Sequence, residues 1–210
     1  MLEQLTLTVI MTSVPLIFAA TGELVAERSG VLNLGVEGMM LMGAVAAFAA
    51  AFGTGNLFFA IIAGGLAGAL TAAVFALFAL GLATNQVATG LALTIFATGL
   101  SGLAGAPLVG HAIEGLPQIE IAFLSDLPII GPLIFSLDIM AYLSVGILVA
   151  VAWFLKSSRA GLVLRAVGDN HESAHALGYP VLRVRTFAVL FGGMMAGIGG
   201  AYLPLMLTPH

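Results

Sequence analysis

Three polar clusters interrupt a chain that is otherwise rich in hydrocarbon, and any chemistry it performs must draw on them. The first is Glu27-Arg-Ser-Gly-Val-Leu-Asn-Leu-Gly-Val-Glu-Gly-Met39. If a helix begins near Gly30, Asn33 and Glu37 stand one turn apart on a shared face. At 1.5 Å per residue, Glu37 then lies roughly 10 Å along that helix, about a third of the way through a 30 Å hydrocarbon core. A bare carboxylate at that depth costs at least a few kcal/mol, so it must face the protein interior or a wet cavity (about 2.5–3.5 kcal/mol on insertion scales). Three roles stay open for Glu37: a hydrogen-bond hub for a neighbouring helix, a wall of a polar solute's path, or an interfacial residue if the helix starts later. No other carboxylate is expected so deep. The second cluster, Thr84-Asn-Gln-Val-Ala-Thr89, opens an apolar run. There Asn85 and Gln86 either cap a helix and form its turn or touch the solute.

The third cluster is Asp169-Asn-His-Glu-Ser-Ala-His-Ala-Leu-Gly-Tyr-Pro180. Its punctuation predicts a very short helix. Asp169 caps the start with Glu172 at the third position, Gly178 takes the left-handed C-terminal conformation, and Pro180 blocks continuation. A helix of about eight residues has no stability of its own in water. It must therefore lie against the membrane domain or a partner, with Ala174, Leu177 and Tyr179 as its apolar patch. His171 and His175 have a spacing seen in metal sites, but no third ligand or general base accompanies them. No metal or other cofactor is implied.

These clusters are positioned by membrane spans. Hydrophobic residues make up 60% of the 210 and charged residues 8%, against about 25% charged in a globular domain, and the mean hydropathy is +1.15. The expected fold is all-α, a polytopic transmembrane bundle of about six spans, near 5–22, 30–52, 57–80, 86–106, 138–155 and 186–207. Five of the six cations, Lys156, Arg159, Arg165, Arg183 and Arg185, fall in one segment. The positive-inside rule places that 156–185 loop in the cytoplasm, and alternation then puts Arg28 there too. The N-terminus falls outside, as does the Pro107–Leu137 loop with Glu114, Glu120 and Asp126. Arg183 and Arg185 are expected to serve only as topology anchors.

Spans three and six carry small residues at four-residue spacing, Ala60, Gly64, Gly68, Ala72 and Ala76 in one and Ala188, Gly192, Ala196 and Gly200 in the other. Such rows let helices approach closely in lipid, though in a chain with 27 glycines they also arise by chance. Pro15 and Pro204 are candidates to kink or end their helices. A net charge of −4 is too small and dispersed to argue for a nucleic-acid partner. The absence of cysteine excludes disulfides and thiol catalysis. The first apolar run lacks a basic n-region and reads as a span, not a cleavable signal.

The first and third clusters, together with Arg159-Ala-Gly-Leu-Val-Leu-Arg-Ala-Val-Gly-Asp-Asn170 and Gly192-Gly-Met-Met-Ala-Gly-Ile-Gly-Gly-Ala201, resemble permease subunits of bacterial ABC importers. The group is the one that takes up branched-chain amino acids, ribose-type sugars and nucleosides, and the likeness is closest to nucleoside and simple-sugar permeases. It covers nearly the whole chain as one permease domain. The resemblance implies a pair of permease subunits, like or unlike, two cytoplasmic ATPases docked on them, and an extracytoplasmic binding lipoprotein that delivers the solute. It also implies that the short cytoplasmic helix sits in a cleft of the ATPase. Asp169, Asn170, Glu172, Ser173, Ala174, Leu177 and Gly178 match that element, with Ser173 in place of the usual Ala. The chain has no P-loop, so ATP is expected to bind another subunit. Family members usually continue for several more spans, so the chain is expected to be C-terminally incomplete. An ion-coupled secondary transporter is the competing class and calls for inverted repeats and paired intramembrane acids. An intramembrane enzyme is opposed by the lack of a nucleophile elbow or a zinc-binding helix.

Overall fold

The computed structural model describes residues 2–113, 115 and 137–207. Glu114, Glu120 and Asp126, and the terminal Thr208–His210, lie outside the described residues. Among the described residues eight α-helices follow in order: α1 Leu2–Arg28, α2 Val36–Thr54, α3 Leu57–Ala76, α4 Gln86–Gly105, α5 Ile139–Ser157, α6 Arg159–Asp169, α7 His171–Ala176 and α8 Val181–Tyr202. Six of them, all but α6 and α7, are long and apolar enough to cross a bilayer, and no strand occurs among the described residues. The chain is a multi-pass helical membrane protein.

Helix α8 is the centre of the bundle. In its most apolar stretch 61% of residues are buried, against 22–44% in the other spans. Hydrocarbon supplies no hydrophobic drive for helices to associate, so the contacts come from close packing, and glycine permits it on three faces. Towards α3, a Cβ added at Gly68 would sit 2.7 Å from the Gly197 Cα, and one at Gly64 would meet the Ala201 Cβ at 2.7 Å. Towards α1, a Cβ at Gly199 would sit 2.6 Å from the Pro15 carbonyl oxygen. Towards α2, Gly200 lies against the Met40 backbone and Gly43 against Gly197. Both expected small-residue rows are helix contacts. The α3 row, however, meets a second α8 row, Gly193, Gly197 and Ala201, one position along from the row read in the sequence. Three close neighbours require three faces of small residues, and a single four-spaced row covers only one.

Span boundaries shift where polar residues find partners inside the protein. Helix α1 runs six residues past its expected end and passes through Pro15 without stopping. Helix α2 starts at Val36, not near Gly30, and residues 31–35 are non-helical. Helix α8 gives way to a wider π turn at Leu203–Leu207, which contains Pro204. At the opposite end from the cations, Asp138 caps α5, accepting from the Met140 N–H at 2.8 Å and the Ala141 N–H at 3.0 Å. Its other oxygen accepts from the Tyr202 hydroxyl at 2.6 Å, and both residues are fully buried. This bond ties the start of α5 to the end of α8.

Gly197→Leu should therefore separate α3 and α2 from α8, since overpacking costs about 1–3 kcal/mol even where side chains can yield, and here backbone is in the way. Gly99, with nothing within 4 Å of an added Cβ, should accept Ala at no loss and with a gain of up to about 1 kcal/mol in helix propensity. Thermal denaturation in detergent checks the pair: a large fall in midpoint for the first and none for the second.

Candidate functional site

The cations of four helices converge at one end of the bundle. Arg28 ends α1, Lys156 sits in the last turn of α5, Arg165 lies on α6, and Arg185 opens α8. The Pro107–Leu137 loop apart, every polar cluster singled out in the sequence lies at this end, around the linker from α1 to α2.

That linker is built to return into the bundle without helical hydrogen bonds. Gly30, at φ +82°, closes α1: its N–H donates to the Glu27 carbonyl at 2.9 Å and the Val31 N–H to the Ala26 carbonyl at 3.2 Å, the paired bonds of a Schellman cap. Backbone groups at membrane depth must be satisfied from within the protein, and here side chains of other helices do it. Gln86 of α4 accepts the Leu32 N–H at 2.9 Å, Glu23 of α1 accepts the Asn33 N–H at 3.1 Å, Thr94 donates to the Leu34 carbonyl at 3.1 Å, and the Arg185 Nε donates to the Ser29 carbonyl at 3.1 Å. Asn33 is buried and turns its own Oδ1 to the Gly35 N–H at 2.9 Å, a local turn that ends the linker. Gly90 gives the linker room, since a Cβ there would sit 2.8 Å from the Leu34 nitrogen.

Asn33 and Glu37 consequently do not share a helical face. Asn33 belongs to the linker and points inward, while Glu37 is exposed in the first turn of α2. Gly35 packs beside Gly90 and Gly38 beside Thr94 and Ala97, four, eight and eleven residues into α4, which sets Glu37 about 6–17 Å from the start of that helix. The extended linker, not a helix, carries it there. Glu37 has no hydrogen bond among the described residues. Asn85 caps α4, its Oδ1 accepting the Ala88 N–H at 3.0 Å, and Gln86 holds the linker. Glu37 is not the sole acidic group within the spans. Asp138 is enclosed at the far end, and Glu23 sits about 7 Å inside the end of α1 with its second oxygen buried and unpartnered. Ending span one at residue 22 hid Glu23. Arg185 is more than an anchor, whereas Arg183 is exposed and makes no such bond among the described residues.

The second half of the site is the α6–α7 platform. Ser158 caps α6, accepting from the Gly161 N–H at 2.9 Å, and α6 buries Gly161, Leu164 and Val167. Gly161 lies against the Phe154 backbone, and Gly168 against the backbone of Arg28 and Gly30. Helix α6 thus rests on the ends of α5 and α1. Helix α7 is capped by Asn170, whose Oδ1 accepts the Ser173 N–H at 2.9 Å. Asp169 is instead the last residue of α6, so the cap falls one position later than expected and Glu172 no longer completes a capping box. At the other end, Gly178 at φ +86° forms the second Schellman cap: its N–H donates to the His175 carbonyl at 2.9 Å and the Tyr179 N–H to the Ala174 carbonyl at 3.1 Å. Ala174 packs inward at 3% exposure, while Leu177 stands out at 78% and Tyr179 at 40%. The expected apolar patch is split, one residue anchoring the helix and two facing away. Between the α7–α8 turn and the start of α4 lies a cleft of about 720 Å³, lined by Thr84, Gln86, His175, Tyr179, Arg183 and Arg185 among others. No group of three metal-ligating side chains gathers among the described residues.

Residues 5–209 match the family model described as branched-chain amino acid transport system / permease component. The chain belongs to this family. It is 40% identical over 197 residues to a putative glucose ABC transporter permease of Haloferax volcanii, covering 92% of this chain and 60% of that protein. It is 31% identical to a nucleoside ABC transporter permease of Lactococcus lactis, covering 90% and 63%, and 31% identical to a guanosine ABC transporter permease of Bacillus subtilis, covering 89% and 62%. The chain thus spans about three-fifths of the length of these relatives. No solved structure matches it.

The linker's dependence on Glu23 separates two substitutions. Glu23→Gln keeps an acceptor for the Asn33 N–H and should leave stability within about 1 kcal/mol, while Glu23→Leu orphans that N–H and should cost about 1–3 kcal/mol. Denaturation midpoints in detergent report the difference; equal midpoints would mean that the bond does not hold the linker.

Proposed function

We propose that this chain is the membrane-crossing permease part of an ATP-driven importer for a neutral polar solute, with nucleosides as its substrate class. The observation that carries this reading is the α6–α7 platform: a short helix capped at both ends, backed by Ala174, seated through Gly168 on the end of α1, and presenting Leu177 outward. An exposed leucine at the end of a six-residue helix has the form of a knob for a partner's groove. The positive-inside rule puts the cation-bearing end in the cytoplasm, where an ATPase subunit would receive Leu177 together with Glu172, Ser173 and Gly178. Movement of the platform would reach the linker through Gly168 and Gly30, and so Glu37. With no P-loop in its sequence, the chain relies on that subunit for nucleotide chemistry.

Glu37 is exposed at membrane depth in the single chain, and hydrocarbon is a costly neighbour for a carboxylate. A second permease subunit covering this face, with a wet path between the two, removes the cost and supplies the route. Asn33, Asn85 and Gln86 then shape that route by holding the linker and the start of α4, and Glu37 meets the solute. A carboxylate suits hydroxyl and base N–H donors and opposes an anionic solute. An extracytoplasmic binding lipoprotein would deliver to the opposite end. A simple sugar is the second reading, favoured by the identity to the Haloferax glucose permease.

Uptake by vesicles holding the complete transporter, with labelled guanosine, ribose and glucose offered in parallel, tests both halves. Leu177→Glu should weaken co-purification of the ATPase at least tenfold, the equivalent of about 1.5–3 kcal/mol for one buried leucine, and uptake should fall with it. Glu37→Gln should lower uptake and leave the complex intact. Full uptake by the first variant would overturn the coupling assignment, and by the second the pathway assignment.

A further inference from the structure

A small basic pocket lies on a different face from the cleft beside α7. Arg28 of α1, Lys156 of α5 and Arg165 of α6 line it with Leu24, Ala152 and Leu155, around a volume of about 210 Å³. No carboxylate lines it among the described residues, and the Arg165 Nε is buried without a hydrogen-bond partner. Three converging cations with an orphaned donor are unfavourable unless an anion joins them.

The walls identify the anion's source. Helices α1 and α5 run side by side towards this end, and four-residue spacing leads apolar, outward-facing residues up to each cation: Leu16 and Ala20 below Leu24 and Arg28, and Leu148 and Ala152 below Lys156. Trp153, 65% exposed, sits one turn inside Lys156, where indoles mark the headgroup layer. Outward-facing rows of apolar side chains that end in a pocket of positive charge have the chemistry of a phospholipid's tail and phosphate. Basic pockets between spans on the inner side bind anionic headgroups in the same way. We propose that Arg28, Lys156 and Arg165 hold the phosphodiester of an anionic phospholipid, whose acyl chain lies along the outward apolar faces of α1 and α5. Because α6 hangs on α5 and rests on α1, the bound headgroup would brace the platform that bears α7.

The transporter with its ATPase bound is exchanged into phosphatidylglycerol or phosphatidylcholine, and retained lipid is counted by mass spectrometry of the intact complex. Phosphatidylglycerol should be retained in preference to phosphatidylcholine, and Lys156→Gln, at an exposed site that folding does not need, should weaken retention about fivefold, the value of one cation near the surface. Arg165→Gln should do the same and Lys156→Arg should not. Millimolar inorganic phosphate should leave the lipid in place. Equal retention of the two lipids, or retention indifferent to Lys156→Gln, would overturn the proposal. Displacement by inorganic phosphate would make this a small-anion site instead. Loss of ATPase from Lys156→Gln with lipid unchanged would assign the pocket to an acidic side chain of that partner.

Discussion

The approach of three backbones to α8 is the constraint from which the rest of the bundle follows. In hydrocarbon, apolar side chains gain nothing by leaving lipid for protein, so helices stay together only where their surfaces touch over a large area. Glycines at 192, 193, 197, 199 and 200 give α8 that area towards α1, α2 and α3 at once. The same closeness sets the height of each neighbour. With α1 and α2 fixed against α8, the chain between them has to travel inward over a short stretch, and a helix cannot make that path.

The linker is the local answer. Its backbone groups give up helical partners and receive Glu23, Gln86, Thr94 and Arg185 in exchange, each from a helix that would otherwise have a polar side chain to hide. Polar residues of four segments are thereby neutralised by one another rather than by water. It also makes the cation-bearing end mechanically continuous: α7 is joined to α6, α6 sits on Arg28 and Gly30 through Gly168, and Gly30 begins the linker that delivers Glu37. A helix too short to be stable alone is held in place because Asn170 and Gly178 finish both its ends.

The six spans were legible because each holds a long run without charge, and the α7 terminator was legible because Gly178 and Pro180 leave the chain few conformations there. Legibility failed where a polar residue had an inward partner far along the sequence. Glu23 reads as the start of a loop until Asn33 is seen beside it. Val31 to Gly35 reads as helix by composition, and only the left-handed Gly30 and the self-capping Asn33 contradict that. The cap of α7 was misplaced by one residue because Asp169 and Asn170 are both good caps, and the choice was made by where α6 happens to end. The second glycine row of α8 was hidden by the first. The pairing of Asp138 with Tyr202 joins residues 64 apart, and nothing local announces it.

Sidedness is the claim on which the transport mechanism stands, and the lack of native cysteine makes it directly measurable. A single cysteine placed at Leu177, 78% exposed at the tip of the platform, should resist a membrane-impermeant maleimide in intact cells and react once the inner face is opened, with protection restored when the ATPase binds. Reaction in intact cells would put the platform outside and contradict the account.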